Sequence, residues 1–207
     1  MFKKRLDFSI LPTTGLTFLV AIACAFMFAY APATWAYENA LLENIQMLIL
    51  MLGMLFCITA RADKSLYLFF ACILLFMMLR EVNCGRMLFW SRSGEFFYSG
   101  TPEDFLKWKE IPHGSTIRFS IYTAITLLCV VAWCRKGNFA ALKKTILHTQ
   151  VPFWELLLML SAMLCSIAVE RFNICFLTEE ISELLLYTAL ASAIFRYSRA
   201  RQHQITP

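Results

Sequence analysis

Residues 38–60 read ENALLENIQMLILMLGMLFCITA, a run in which Glu43 is the only charged side chain after Glu38. The run exceeds the roughly 20 residues that a helix needs to cross the hydrocarbon layer of a membrane. Asn39, Glu43 and Gln46 recur at steps of four and three, so they share one face of such a helix. The pattern predicts a membrane-spanning helix with a polar stripe on its first half.

The overall composition is typical of an integral membrane protein. Hydrophobic residues make up 59% of the 207 residues, charged residues make up 16%, and the mean hydropathy is +0.62. Soluble domains contain about 45–50% apolar and about 25% charged residues. A soluble enzyme, a disordered tail and a nucleic-acid-binding module are excluded, because none could keep this much apolar surface out of water. The lipid bilayer is therefore an expected partner, and nucleic acid is not.

Similar apolar runs recur along the chain and predict an all-α, polytopic helical bundle that forms one domain over residues 1–207. The first run follows Lys3, Lys4 and Arg5, as a signal peptide would, but it is longer than the about 7–15 apolar residues of such peptides. We therefore interpret it as a retained span. The six predicted spans are residues 10–30, 38–60, 65–90, 116–134, 151–170 and 175–195.

The basic residues predict the orientation of these spans. With the N-terminus in the cytoplasm, twelve of the 19 Lys and Arg residues fall on the inner side and seven on the outer side. Inner loops of membrane proteins carry such an excess, so both termini are expected to be cytoplasmic. The acids divide the other way, with three inside and eleven of the 14 outside.

The third span is unusual because its wholly apolar part, residues 66–79, is too short to cross a membrane alone. We expect its helix to run on through Arg80, Glu81 and Arg86. Charge at that depth must face protein or water. Cys84, near the same end, and Cys175 are candidates for a disulfide if the outer compartment is oxidising.

The long outer connection, residues 91–115, contains a helix start. Thr101 is a capping residue, Pro102 suits the first helical position, and two acids follow in the first turn. The apolar residues after them predict a short amphipathic helix over residues 101–111, which would lie on the outer surface and roof an outward-facing cavity.

Five predicted spans bring polar or ionisable groups to the same outer depth. Besides the stripe on the second span, the sixth carries Glu180, Glu183 and Tyr187 at helical spacing. The ligand-binding or proton-carrying candidates are Asn39, Glu43, Gln46, Arg80, Glu81, Arg86, His113, Arg118, Glu170, Arg171, Glu180, Glu183 and Tyr187.

Two interpretations of these candidates stay open. In the first, acids at helix N-termini, such as Glu38 and Glu179, and arginines at C-termini complement the helix dipoles and pair between helices. In the second, they line a binding pocket. Glu43 and Glu183 favour a pocket, because each lies more than a turn inside its helix.

Three kinds of function compete for such a pocket. We expect binding or transport of a small charged solute or lipid headgroup, including an anionic ligand held by the arginines. An enzyme acting on a lipid-linked or glycan substrate is the alternative, although the chain has no recognisable nucleophile motif. The third is an accessory subunit that contacts another membrane protein. We expect no cofactor, and no metal, because the only outer histidine, His113, lies on a loop and no Glu-x-x-His pair is present.

The run Arg80-Glu81-Val82-Asn83-Cys84-Gly85-Arg86, followed by Pro112-His113-Gly114, resembles a pattern in uncharacterised bacterial multi-pass membrane proteins. Those proteins carry an Arg-Glu or Glu-Glu pair, commonly a Ser-Trp-Gly, and then an arginine or glutamine on one helix. This chain has Asn-Cys-Gly at residues 83–85, where Ser-Trp-Gly is usual. The resemblance implies a helical bundle in a bacterial inner membrane, and it implies no mechanism.

Overall fold

The computed structural model describes residues 6–60, 64–134, 143, 151–172 and 175–205, and this part of the chain is mainly helical. Two-residue strands, β1 (Leu6–Asp7) and β2 (Val151–Pro152), pair in parallel. The helices are α1 (Pro12–Tyr30), α2 (Leu41–Thr59), α3 (Lys64–Glu81), α4 (Arg86–Phe89), α5 (Gly114–Cys134), α6 (Phe153–Phe172) and α7 (Phe176–Ile205).

A helix overlaps each of the six predicted spans, and the last one, α7, runs on past the predicted end at residue 195 to Ile205. In the described residues, α1, α2 and the segment Gly114–Ala132 of α5 are long and apolar enough to cross a membrane. A fourth span results if α3 and the bent segment Asn83–Phe89 count as one. The apolar part of α6, Phe153–Val169, is shorter. The fold class is thus confirmed as helical and compatible with a membrane, while the number of six spans stays a prediction.

The third predicted span is broken, which corrects the expectation of a continuous helix through Arg86. The helix ends at Glu81, and the following segment bends away by 50°. Asn83, Cys84 and Gly85 all have positive φ, at 44°, 56° and 85°. A right-handed helix cannot continue through such residues, so the bend leaves the charged end of α3 at a corner of the bundle.

The core of the bundle lies around α7, which packs against α1, α2 and α6, while α3 packs against α2. Its largest buried cluster joins α2, α3 and α7 through residues such as Leu50, Leu74 and Tyr187. Large apolar side chains on α1 and α5, including Phe26 and Phe119, are exposed. Lipid would cover such faces in a membrane protein.

The connection before α5 forms the predicted helix start but not the predicted helix. Thr101 and Asp104 cap a single 3₁₀ turn, Pro102–Asp104. The chain is then extended at Phe105, which bridges Ser91 and is fully buried. Burial of this ring, with backbone pairing to residues 90–92, replaces the amphipathic helix expected to follow. Cys84 and Cys175, the candidates for a disulfide, are both free cysteines in the structure.

Candidate binding site

A cavity of about 430 Å³, here called the acidic cavity, opens where α2, α5 and α7 begin and α3 ends. Of the predicted polar stripe, Glu43 lines the cavity and Gln46 contacts Glu180 of the sixth predicted span, whereas Asn39 lies before α2. The residues that line the cavity are Glu38, Glu43, Arg80, Glu81, Asn83, Met87, Arg118, Tyr122, Phe176, Glu179, Glu180 and Glu183.

The charges that line the acidic cavity are unbalanced. Six of the residues are glutamates and two are arginines. Helix starts favour acids near their N-termini, which explains Glu38 and Glu179 but not the whole set. Glu183 lies well inside α7 and is buried. Glu43 is also buried, but it lies in the first turn of α2, which corrects the expectation that it lies more than a turn inside its helix. Glu81 lies at the last residue of α3, where the helix dipole does not favour an acid. The surplus of carboxylates is therefore a property of the cavity and exceeds what helix capping requires.

Arg80 is held by a three-residue network at the end of α3. Its guanidinium forms an ion pair with Glu183 and lies 3.7 Å from Glu81, Nη1 to Oε1. Nη1 also donates to the Tyr187 hydroxyl at 3.1 Å, and that hydroxyl donates to Glu81. The side chains of Glu81 and Glu183 are each 5% exposed, whereas that of Arg80 is 49% exposed. The arginine thus covers two buried carboxylates and faces the open cavity.

A third carboxylate lies beside this network. Carboxylate oxygens of Glu81, Glu180 and Glu183 all lie within 4.8 Å of one another. The amide nitrogen of Gln46 donates to the Glu180 carboxylate at 3.1 Å and to its backbone oxygen at 2.8 Å. Ser166 contributes a long contact to Glu183 at 3.4 Å. Oxygen atoms that accept hydrogen bonds therefore dominate this side of the cavity.

Asn39 ties the start of α2 to the broken end of the third span. Its Nδ2 donates to the backbone oxygens of Met87 and Tyr98, at 2.8 and 2.7 Å. Its backbone N–H donates to the Glu43 carboxylate, and its φ is +57°. Asn39 does not line the acidic cavity, and it holds the segments around it in place. Both Asn39 and Glu43 line a second, neighbouring cavity of about 430 Å³.

Glu38 lies in the connection before α2, at the edge of the acidic cavity. Burial and, after it, the negative charge of Glu43 together raise its pKa from 4.5 to about 7, against the opposing effect of Arg86. The backbone of Glu38 bridges Gly100, which attaches this residue to the connection before α5. Glu38 therefore changes charge near neutral pH.

The remaining sequence candidates take different places. Arg118 lines the acidic cavity, with its guanidinium 5.9 Å from the centre of the Tyr122 ring. Arg86 is buried and donates to the Leu106 backbone oxygen at 3.0 Å, so it does not line the cavity. His113 and Arg171 are exposed and also lie outside it. The side chain of Glu170 lies outside the described part of the structure.

Sequence reasoning missed several lining residues. Glu38 and Glu179 were assigned only to helix dipoles, although both line the cavity. Tyr122 and Phe176 were not singled out. Tyr122 lies one helical turn after Arg118, and that spacing was the available signal.

A second polar group, here called the Arg196 cluster, was not predicted. Arg196 contacts Asp7 at 2.6 Å and Glu155 at 3.0 Å. Thr14 donates to Glu155 at 2.5 Å and Ser192 does so at 3.3 Å, while Arg196 donates to the Ser9 backbone oxygen at 2.9 Å. Arg196 is 4% exposed and Glu155 is fully buried. The cluster joins the N-terminal segment and α1 to α6 and α7.

The acidic cavity can therefore bind a positively charged molecule and hold it through several carboxylates. No protein family, no curated protein and no solved structure matches the chain. The resemblance to bacterial multi-pass membrane proteins consequently stays a prediction. The functional argument rests on the cavity's own geometry and charge.

Proposed function

We propose that the protein spans a bacterial inner membrane six times, with both termini in the cytoplasm, and binds a small organic cation in an outward-facing acidic cavity. Binding is the first step of transport of that solute. The observation that carries the proposal is the surplus of six glutamates over two arginines around one cavity of about 430 Å³.

The charge balance favours a cation over the anionic ligand that the arginines suggested from sequence. Arg80 is already paired with Glu183 and lies close to Glu81. Arg118 lies beside the ring of Tyr122. An anion entering the cavity would meet more carboxylates than arginines, and repulsion between like charges is strong where water is excluded.

The size and chemistry of the cavity favour an organic molecule. Its volume lies within the range of about 300–1,000 Å³ that is typical of small-molecule sites. Tyr122 and Phe176 add aromatic surface, and aromatic faces attract ammonium groups. A ligand with one or more amines would use both the carboxylates and these rings.

The distribution of charge supports the proposed orientation. Twelve basic residues lie on the side assigned to the cytoplasm and seven on the other. The acidic cavity lies at the opposite end from that basic side, where α2 and α7 begin. Helix α7 packs against α1, α2 and α6, which supports these four helices crossing the membrane as one bundle.

Thermal unfolding of the full chain in lipid nanodiscs tests the proposal. A ligand that binds the folded state raises the melting temperature through mass action. We expect putrescine to raise it, and phosphate to leave it unchanged at equal ionic strength. Glu180→Gln keeps an oxygen for Gln46 and removes one charge, so it should weaken putrescine binding about tenfold, or about 1.4 kcal/mol.

Glu103→Gln is the matched control, because Glu103 is exposed and does not line the cavity. It removes the same charge and should leave putrescine binding unchanged. A phosphate response without a putrescine response would contradict the proposal. A response to Mn²⁺ alone would contradict an organic ligand and point to the three close carboxylates as a metal site.

The enzyme and accessory-subunit alternatives stay predictions. An enzyme acting on a lipid-linked or glycan substrate would turn that substrate over after purification. An accessory subunit would purify persistently with one other membrane protein. Neither outcome is expected from a chain that binds its own solute.

A further inference from the structure

Arg80 occupies a place in the acidic cavity that suits a bound cation. Its guanidinium contacts the carboxylates of Glu183 and Glu81, which are each 5% exposed, while its own side chain is 49% exposed. The two acids are therefore buried, and the cation that pairs with them faces the cavity.

We propose that Arg80 is a built-in counter-cation, which the amine of an incoming ligand displaces from Glu183 and Glu81. The inference rests on the proposed function and adds the residue that sets the affinity of the acidic cavity for its ligand. In the empty protein the guanidinium contacts both buried acids and offsets one of their two negative charges. When an amine takes its place, Arg80 turns on its long, flexible side chain into the open cavity, where water solvates it.

The groups beside Arg80 include more hydrogen-bond acceptors than donors. Gln46 is fully buried, and its amide nitrogen contacts Glu180. Its amide oxygen has no hydrogen-bond partner among the residues that the structure describes. Ionised carboxylates only accept hydrogen bonds, so acceptors outnumber donors here. An alkylammonium group carries three donors and a positive charge, which is what the site lacks when Arg80 moves away.

Arg118 provides a matched comparison within the same cavity. It carries the same charge and lines the same space, but its guanidinium lies beside the ring of Tyr122 and forms no ion pair with Glu81 or Glu183 in the described residues. Removing Arg118 changes the overall charge of the cavity and its contact with Tyr122, but it frees neither Glu81 nor Glu183. Removing Arg80 changes that charge equally and also frees two buried carboxylates.

The experiment measures putrescine binding by isothermal titration to the full chain in nanodiscs, for the wild type, Arg80→Gln and Arg118→Gln. We expect Arg80→Gln to bind putrescine at least about tenfold more tightly than the wild type. Arg118→Gln should tighten binding by less than about threefold, the effect of a screened charge at longer range.

Binding that Arg80→Gln weakens or leaves unchanged would overturn the inference and leave the proposed function standing. Equal tightening by the two substitutions would also overturn it, because the effect would then be general electrostatics. If neither the wild type nor any variant binds putrescine, the proposed function fails and the inference fails with it.

Tyr187→Phe keeps the experiment decisive if Arg80→Gln does not fold. The phenol of Tyr187 accepts from Arg80 and donates to Glu81, and phenylalanine preserves its buried ring. This variant loosens Arg80 without removing any charge. We expect it to bind putrescine about threefold more tightly, since one hydrogen bond to a charged group is lost from the empty state. Unchanged or weaker binding would overturn the inference.

Discussion

The acidic cavity and the Arg196 cluster use the same chemical parts with different results. Each contains an arginine that contacts two carboxylates: Arg80 with Glu81 and Glu183, and Arg196 with Asp7 and Glu155. Arg80 is 49% exposed and adjoins a cavity, whereas Arg196 is 4% exposed. An arginine that contacts two acids can therefore serve structure or binding. Which of these it serves depends on whether a cavity adjoins it and on which other hydrogen bonds the acids receive.

The Arg196 cluster has the properties of a structural tie. Its fully buried acid, Glu155, receives hydrogen bonds from Arg196, Thr14 and Ser192. These contacts come from three helices and fix their relative positions. The acidic cavity instead has carboxylates in excess of its cations. A structural role requires satisfied partners, while a binding site leaves an interaction for the ligand to complete.

The largest effect on stability is expected at the Arg196 cluster. Arg196→Met leaves Glu155 buried without its cation, and breaking a buried pair on one side costs about 3–5 kcal/mol. Thermal unfolding in nanodiscs should show a large fall in melting temperature. Arg171→Met is the matched control, because Arg171 is exposed, and it should melt like the wild type. A wild-type melting temperature for Arg196→Met would remove the distinction between the two regions.

A double substitution separates lost packing from an uncompensated charge. Glu155→Leu combined with Arg196→Met replaces the buried pair by apolar side chains. Such replacements are often neutral or stabilising, so the double variant should recover much of the stability lost in the single one. If it melts as early as Arg196→Met, the buried charge is not the cause of the loss.

The next largest effect is expected at Asn39, which holds the segments around the acidic cavity. Asn39→Ala removes the two side-chain hydrogen bonds to Met87 and Tyr98 and places alanine at a φ of +57°. Lost hydrogen bonds cost about 0.5–1.5 kcal/mol each, and a left-handed alanine adds roughly 1–2 kcal/mol. Hydrogen exchange of residues 97–105 should become faster.

Asn39→Gly isolates the two causes of that effect. Glycine adopts positive φ without strain, so this variant loses only the side-chain hydrogen bonds. It should show an intermediate exchange rate. Exchange as slow as in the wild type for both variants would mean that Asn39 does not hold these segments.

Glu38 gives the acidic cavity a pH dependence of stability. Its folded-state pKa of about 7 exceeds the unfolded value of 4.5, so the folded protein binds its proton more tightly. The free energy of unfolding should therefore fall as pH rises from about 4.5 to about 7, and this contribution should be constant above that range. Glu38→Gln removes it. Between about pH 4.5 and about 7, the melting temperature of the wild type should fall relative to that of Glu38→Gln. Outside this range the two curves should have the same slope. Curves that are parallel at every pH would contradict the assignment.

Several features of the cavity were predictable because they depend on local periodicity. The step of three from Glu43 to Gln46 predicted a polar face on α2, and Gln46 does meet Glu180 of α7. The expectation was wrong for Asn39, which lies before α2 with a φ of +57°. Helix positions follow from the same apolar pattern. Such patterns extend over only a few turns of one helix, so they do not depend on which other helices pack against it.

The features that were missed depend on contacts between distant residues. Thr14 and Glu155 are 141 positions apart, so no local sequence pattern predicts the Arg196 cluster. The break at Asn83 and Cys84 adjoins a segment that Asn39 anchors at Met87, 48 positions away. Phe105 forms a bridge with Ser91 instead of continuing a helix, although its own sequence neighbourhood favours a helix start. Tertiary contacts outweigh local propensity at each of these sites.

The smallest effect is expected at a third arginine–glutamate pair, which tests whether distance or burial decides the outcome. Arg92 lies 2.8 Å from Glu110, closer than Arg196 lies to Glu155, but the two side chains are 48% and 34% exposed. Exposed pairs contribute little because water already solvates both charges. Arg92→Gln should therefore leave the melting temperature unchanged, both in dilute buffer and at about 1 M NaCl, where the Debye length is about 3 Å. A loss as large as that of Arg196→Met would show that separation alone determines the strength of these pairs, and the contrast between the cavity and the Arg196 cluster would then need another cause.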